Sequence, residues 1–343
     1  MKLLAREIGR IICAEIGPGA FMDRLTDPFW FQAFGCALGF DWHSSGLTTT
    51  VCGALKEGFK DISGETGIYF CGGKGATSRK TPLEIDILAE KRRIKGDPEK
   101  LKYASKMSAK VDNTALQDGY QLYHHTFVVN ESGAWAVIQQ GMNDDTGWAR
   151  RYHWSGSRVE DFVCEPHAAV CCDHRGRALN MVAKESADVR TVCAKIARTD
   201  PDRVHREYLK IKNLDLPSRH DVRERDILPE NFRKIMITTY EKNPADFEGL
   251  LGLRGVGPGT IRALALVAEL VYGKEPSFKD PARFSFAHGG KDGHPYPVNR
   301  KRYDETISFL NGAVSKTRIG HNEKLRAFRR LEGYFAREES CTY

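Results

Sequence analysis

The chain has 343 residues, 41% of them hydrophobic, with 52 Lys and Arg against 45 Asp and Glu and a net charge of +7. That apolar content supports packed cores and excludes a disordered chain, and the length allows two or three domains. No apolar run is long enough to cross a bilayer, and the mild positive excess permits a polyanionic partner without demanding one.

Leu3, Leu4, Ile8, Ile11, Ile12 and Ile16 recur at helical spacing, and Gly17 to Gly19 stop that helix. The helix opens with no cap before it, which suggests missing upstream sequence and gives no sign of an export signal. Nine cysteines, at 13, 36, 52, 71, 164, 171, 172, 193 and 341, form no Cys-x-x-Cys pair. Free buried thiols in a reduced cytoplasm are therefore expected, without a zinc or iron–sulfur cluster. Phe29 to Phe40 is aromatic-rich and reads as core, while Asp41 to Thr50 is polar; Thr48 to Gly58 reads as a helix.

Gly72 to Lys80 is a basic, glycine-rich loop that lacks the Gly-Lys-Ser/Thr ending of a P-loop. Lys74, Arg79 and Lys80 could hold phosphates, or the segment could be a solvated turn. Thr81 and Glu84 have capping-box spacing, which predicts a helix from Pro82 to Arg93. Thr126–Val129 and Ala134–Ile138 alternate around the turn residues Asn130 to Gly133 and predict a β hairpin. From about Ser186 the chain reads as helical to its end, interrupted near Leu216-Pro217 and by a loop from Phe284 to Tyr296.

Within that helical part, Leu250 to Gly273 names a partner. A short helix beginning at Asn243-Pro244, with Asp246 near its positive end, runs into Gly255-Val256-Gly257-Pro258-Gly259-Thr260, and a second helix follows at once. Glycines let the chain reverse and leave room for a phosphate. The helix after Pro258 starts with unpaired N–H groups and the positive end of its dipole, which favours an anion. Gly255, Gly257, Gly259, Thr260 and Arg262 are the candidate backbone contacts, and Ile261, Leu264, Leu266, Val267 and Leu270 form the buried stripe. The arrangement resembles a helix-hairpin-helix, whose contacts position a protein on DNA rather than read bases. A plain helical hairpin is the alternative.

Chemistry-bearing residues gather elsewhere. His124, His125, His153, Glu165 and His167 crowd the central β region, and strand neighbours point to opposite faces, so only one of His124 and His125 can enter a given pocket. Arg150-Arg151-Tyr152-His153-Trp154 mixes cationic and aromatic side chains, as a strand-binding groove would. His288 and Lys291 sit in a long polar loop expected to face the hairpin's ligand. His124, Glu131, Gly141 and Asn143 follow the order of the motif in phospholipase-D-type nucleases, with Thr126 in place of the lysine and Glu131 in place of the aspartate. Asp280 resembles the aspartate of helix-hairpin-helix glycosylases; Gly259 stands where bifunctional members carry a lysine, so a monofunctional enzyme is implied. A turn residue before Pro281 is the alternative for Asp280.

Asp41–Gly46, Gly72–Thr81, Tyr123–Asn143 with Arg150–Trp154, and His288–Pro297 together resemble an uncharacterised prokaryotic family, domain of unknown function 763. The resemblance covers nearly the whole chain. It implies a C-terminal helix-hairpin-helix and an N-terminal segment absent here, and it assigns no reaction.

These features predict an α+β protein, with a mixed, catalytic region over 1–185 and a helical helix-hairpin-helix domain over 186–343. The expected function is DNA binding within a repair-type, metal-dependent nuclease. His124 and His153 would act in catalysis, and Asp41, His43 and His167 would hold a divalent Mn or Mg ion. A glycosylase using Asp280 and a non-catalytic DNA-binding protein are the other two readings. No membrane partner is expected.

Overall fold

Four helices open the chain: α1 (Lys2–Ile16), α2 (Pro18–Thr26), α3 (Pro28–Leu38) and α4 (Leu47–Phe59). The structure is a computed structural model that describes residues 1–40, 46–212, 229–284 and 300–339. Asp27 caps α3, its Oδ1 accepting from the N–H groups of Phe29 at 3.0 Å and Trp30 at 3.4 Å, while Pro28 occupies the first helical position, where no donor is needed. A short turn, α5 (Ser63–Thr66), leads into β1 (Ile68–Lys74).

The expected hairpin is present and longer than the sequence indicated. Its strands are β3 (Gln121–Asn130) and β4 (Trp135–Met142). With β5 (Ala149–Ser155) and β6 (Ala169–Cys171) they form an antiparallel sheet in the order β1-β3-β4-β5-β6. A two-stranded ladder joins β2 (Leu116–Gln117) to β7 (Leu179–Asn180). Between β1 and β2 lie α6 (Thr81–Glu90), α7 (Pro98–Lys110) and a π-helical turn, Val111–Ala115.

Both faces of the sheet are covered. Val128, Ala136 and Ile138 face α1 to α4. Phe127, Val129, Val137 and Tyr152 face α7 and the later helices α8 (Ala187–Ala197), α9 (Pro201–Lys212), α10 (Pro229–Lys242), α11 (Phe247–Gly252) and α12 (Pro258–Tyr272). The last helices, α13 (Arg300–Lys316) and α14 (His321–Glu339), return to pack Leu310, Val314 and Leu331 into the first core, beside α1 and α3. Packing therefore divides the helices after residue 186 between two cores. The chain is a mixed α and β protein with a small antiparallel sheet and a helical C-terminal region.

Two local expectations change. Thr81 and Glu84 make no capping box: Lys80 stands at the N-cap without a side-chain bond, and the Glu84 carboxylate instead accepts from the Gly72 N–H at 2.6 Å and pairs with Lys56 at 2.7 Å. A tertiary partner with a full charge outcompetes a local amide. The helix before the glycine turn starts at Phe247, not near Pro244, because Asp246 is its N-cap, accepting from Gly249 N–H at 2.8 Å.

Candidate functional site

The turn between α11 and α12 has occupied carbonyls and free amides. Lys106 Nζ reaches the Gly252 carbonyl at 2.7 Å, and Lys110 Nζ reaches those of Val256 at 2.5 Å and Leu253 at 3.4 Å. Gln117 donates to the Pro258 carbonyl at 2.8 Å and accepts from Arg262 Nε at 2.9 Å. The first backbone bond of α12 is Ile261 N–H to the Gly257 carbonyl, and Gly257 brings no side-chain cap. Among the described residues nothing accepts from the N–H groups of Gly255, Gly257, Gly259 or Thr260. The outside of the corner is open: a Cβ built on Gly255 or Gly257 meets no atom within 4 Å. Gly255 has φ +91°, in the left-handed region where glycine carries no penalty, whereas Gly257 is extended. Ile261, Leu264, Leu266 and Val267 are buried as the stripe predicted, but Leu270 is 39% exposed.

Two lysines therefore occupy the carbonyls, while on the donor side Gly255 is exposed, Gly257 and Gly259 are half-buried and Thr260 is buried. Burial, and then the neighbouring Lys106 charge, push the Lys110 ammonium below its ordinary pKa. The sequence singled out neither lysine. Their i, i+4 spacing, which puts both on one face of α7, was the available signal.

The basic loop is a 3₁₀ turn, Gly75–Lys80, with Lys74, Arg79 and Lys80 exposed. Lys74 lies 6.0 Å from the Tyr123 ring centre, and none of the three cations has a carboxylate partner among the described residues. Gly72 admits no side chain, since a Cβ there would sit 2.3 Å from the His125 carbonyl.

The strand row Arg150 to Trp154 is not a groove. All five residues are buried. Arg150 binds Asp118 at 2.9 Å and Asp280 at 2.7 Å and lies over the Tyr120 ring. Burial opposes its charge, but the two carboxylates outweigh burial and raise its pKa. Asp280 is correspondingly engaged: besides Arg150 it accepts from Gly176 N–H at 2.8 Å and Ala282 N–H at 2.8 Å. It therefore takes the turn-residue role rather than standing free for glycosylase chemistry.

His124 and His153 share a face of the sheet, opposite His125, and neither meets solvent. His153 is fully buried, accepting from Arg151 Nε at 2.8 Å and donating from Nδ1 to the Leu25 carbonyl at 3.1 Å. Both ring nitrogens are used, so the imidazole is neutral and structural. Arg151 also reaches Gln32 Oε1 at 3.2 Å and covers the Phe31 ring. His124 bonds Thr126 Oγ1 at 2.9 Å, and burial lowers its pKa to about 3. Burial likewise drives His153 well below its ordinary value. The catalytic roles expected of this pair meet a packed core. The phospholipase-D-like order dissolves too: His124 lies within β3 and Glu131 just past its C-terminal end, roughly 23 Å apart at about 3.3 Å per residue.

On the other face a polar chain runs from Ser105 to His167. Ser105 Oγ meets His125 Nε2 at 2.8 Å, and His125 Nδ1 meets Gln139 Oε1 at 2.7 Å. Gln139 donates to Asp112 at 2.5 Å, Trp154 Nε1 donates to the same carboxylate at 2.9 Å, and His167 Nε2 meets it at 2.5 Å. The π-helical turn aims Asp112, which is fully buried, into this cluster. The other nitrogen of His167 has no hydrogen bond among the described residues. Its ring lines a cavity of about 290 Å³ with Glu165, Lys279, Asp280, Arg283 and Phe284. Glu165 sits at φ +46°, a conformation that costs energy for a non-glycine residue. No sequence signal pointed to Asp112, whose partners lie 27, 42 and 55 residues away.

Asp41, His43, His288 and Lys291 lie outside the described residues. Among the described residues no three His, Cys, Asp or Glu side chains converge as metal ligands, and no helix is long and apolar enough to cross a membrane. Eight of the nine cysteines are described and carry free thiols. Comparison with curated proteins and with solved structures finds no match to either. A family model matches residues 1–298, spanning the sheet, the polar chain and the glycine turn. The chain therefore belongs to the family described as protein of unknown function DUF763.

Proposed function

We propose that this is a DNA-binding protein that grips the sugar-phosphate backbone through a helix-hairpin-helix formed by α11, the turn and α12. One observation carries the reading: the turn's carbonyls are tied by Lys106, Lys110 and Gln117, and its amides at Gly255, Gly257, Gly259 and Thr260 are left open. A phosphate oxygen supplies the missing acceptor, with the α12 dipole behind the donors. Arg262 and Arg254 add charge beside them, and Lys74, Arg79 and Lys80 provide a second backbone contact. The test is fluorescence anisotropy of a labelled oligonucleotide. Gly257→Val fills the open space outside the turn and weakens binding about tenfold, the scale of one or two lost backbone bonds. Unchanged affinity in the folded variant would refute the hairpin's role.

A DNA-processing hydrolase is the second reading, favoured by the Asp112–His167 pair. A buried carboxylate holds one ring nitrogen of a residue that lines a cavity, the arrangement of a general base that takes a proton from water. The expected Mn or Mg ion has no three-ligand cluster among the described residues, so the role assigned is that of His167 alone. Labelled oligonucleotide is incubated with Mn²⁺, with Mg²⁺ and with chelator. Cleavage that His167→Ala abolishes supports this reading, and cleavage that the variant leaves intact opposes it.

A further inference from the structure

After α12 the chain runs past β7 and then β6. Asn180 in β7 donates its N–H to the Ser277 carbonyl at 2.8 Å, and Cys172, just past β6, donates to the Phe284 carbonyl at 2.9 Å. The segment from Ser277 to Phe284 is thereby pinned at both ends. With Glu165 to Val170 it lines the cavity of about 290 Å³. That volume is at the small end of ligand pockets, the scale of one nucleobase and not of a base pair. Val170, Val182, Pro281 and Phe284 give it apolar walls. His167, whose side chain is 7% exposed, lines it with one ring nitrogen on Asp112 and the other without a partner among the described residues.

Two features tie this cavity to the proposed DNA grip. Gln117 holds both the Pro258 carbonyl and Arg262 at the glycine turn, and it pairs with Leu179 in the β2–β7 ladder. The next residue of β7, Asn180, lines the cavity, so turn and cavity share one ladder. Lys279 and Arg283 also line it, with side chains 78% and 75% exposed. Each has a carboxylate nearby, Glu185 at 2.8 Å and Glu165 at 3.9 Å, and both carboxylates are exposed. Exposed pairs contribute little, so a phosphate competes with them for the two cations.

We propose that the cavity receives a single unpaired nucleotide of the bound DNA, its base inside and its phosphates on Arg283 and Lys279. DNA binding at the glycine turn is presupposed, and the preferred ligand becomes DNA with one base out of the stack. Phe284 and the two valines take the faces of the base, as apolar side chains do in other sites for flipped nucleotides. The second nitrogen of His167 and the Glu165 carboxylate meet its hydrogen-bonding edge. Extrusion costs unstacking energy, which is smallest where the base has no partner, so a bulged nucleotide is the best ligand. A cavity that holds only water is the other outcome, and it gives no such preference.

The experiment reads, with the full chain, the fluorescence anisotropy of three labelled duplexes of one sequence. One is fully matched, one carries a single bulged adenosine, and one has a tetrahydrofuran residue in place of that adenosine, keeping the backbone without the base. The adenosine bulge should bind at least about tenfold tighter than the matched duplex, and the tetrahydrofuran bulge should lose that gain. Ala168→Phe, at a half-buried lining position, should abolish the preference while matched-duplex affinity and melting temperature stay at wild-type values. Gly257→Val should weaken all three duplexes alike, which separates the grip from the cavity. Matched-duplex binding with no preference for the bulge, or equal affinity for the two bulges, would overturn the cavity's role and leave the grip standing. A preference that survives in folded Ala168→Phe would overturn it as well. The comparison of the two bulges needs no variant, so it decides even if Ala168→Phe fails to fold. No binding of any duplex would overturn cavity and grip together.

Discussion

A guanidinium with 1% side-chain exposure, that of Arg150, joins β5 to Asp118 before β3 and to Asp280 after α12. Replacing it with methionine keeps the bulk and strands two carboxylates. Arg150→Met should cost about 3–5 kcal/mol, the range for breaking a buried pair from one side, read from urea unfolding. A loss below about 1 kcal/mol would show that water already reaches the pair. His124 gives a second prediction. Its folded pKa, about 3, lies below the ordinary 6.5, so below pH 6.5 the unfolded chain binds the extra proton. Stability is therefore intact above pH 6.5 and falls as the pH drops toward 3, by about 1.4 kcal/mol per pH unit for this group. Thermal melts between pH 7.5 and 4.5 should show the decline, and His124→Gln should make it shallower while the buried His153 keeps part of it; a variant with the wild-type slope would contradict the assignment. At this scale the sequence revealed residue types but not their surroundings. Alternation put His124 and His125 on opposite faces, as found, but a row of arginines and aromatics looks the same whether solvent or a second helical layer covers it.

The proposed function rests on one element, the glycine turn, and its two glycines separate experimentally. Gly255→Ala places a Cβ at φ +91° and should destabilise the fold by about 1–2 kcal/mol. Gly257→Val, at extended φ with open space around it, should leave the melting temperature unchanged while weakening DNA. The sequence treated the glycines of the turn alike, whereas the structure puts the positive φ at Gly255 and leaves Gly257 extended. If Gly257→Val unfolds the chain, the corner is not open as described. Elements with strong local signals were legible: the α1 stripe, the β3–β4 turn and the helix after Pro258. Local capping signals were misread at Glu84, which the distant β1 recruits, and at Asp246, which is itself the local cap rather than a dipole charge.

One sheet, shared by two helical cores, sets the relation between the parts of the whole molecule. The segment Lys110 to Asp118 links them: Lys110 and Gln117 hold the glycine turn, Asp112 holds His167, and Asp118 holds Arg150. This convergence could not be read from the sequence, because each contact joins residues far apart in the chain. The overall charge of +7 allowed a polyanion without locating one; the proposed location rests on the asymmetry of donors and acceptors at one turn. The measurement that tests it most directly is DNA affinity against salt for the wild type and Gly257→Val. The account predicts that log K falls linearly with log salt for the wild type, with a slope of about −0.9 per phosphate engaged on duplex, and that the variant binds about tenfold more weakly with a shallower slope. Salt-independent affinity, or identical lines for the two proteins, would contradict it.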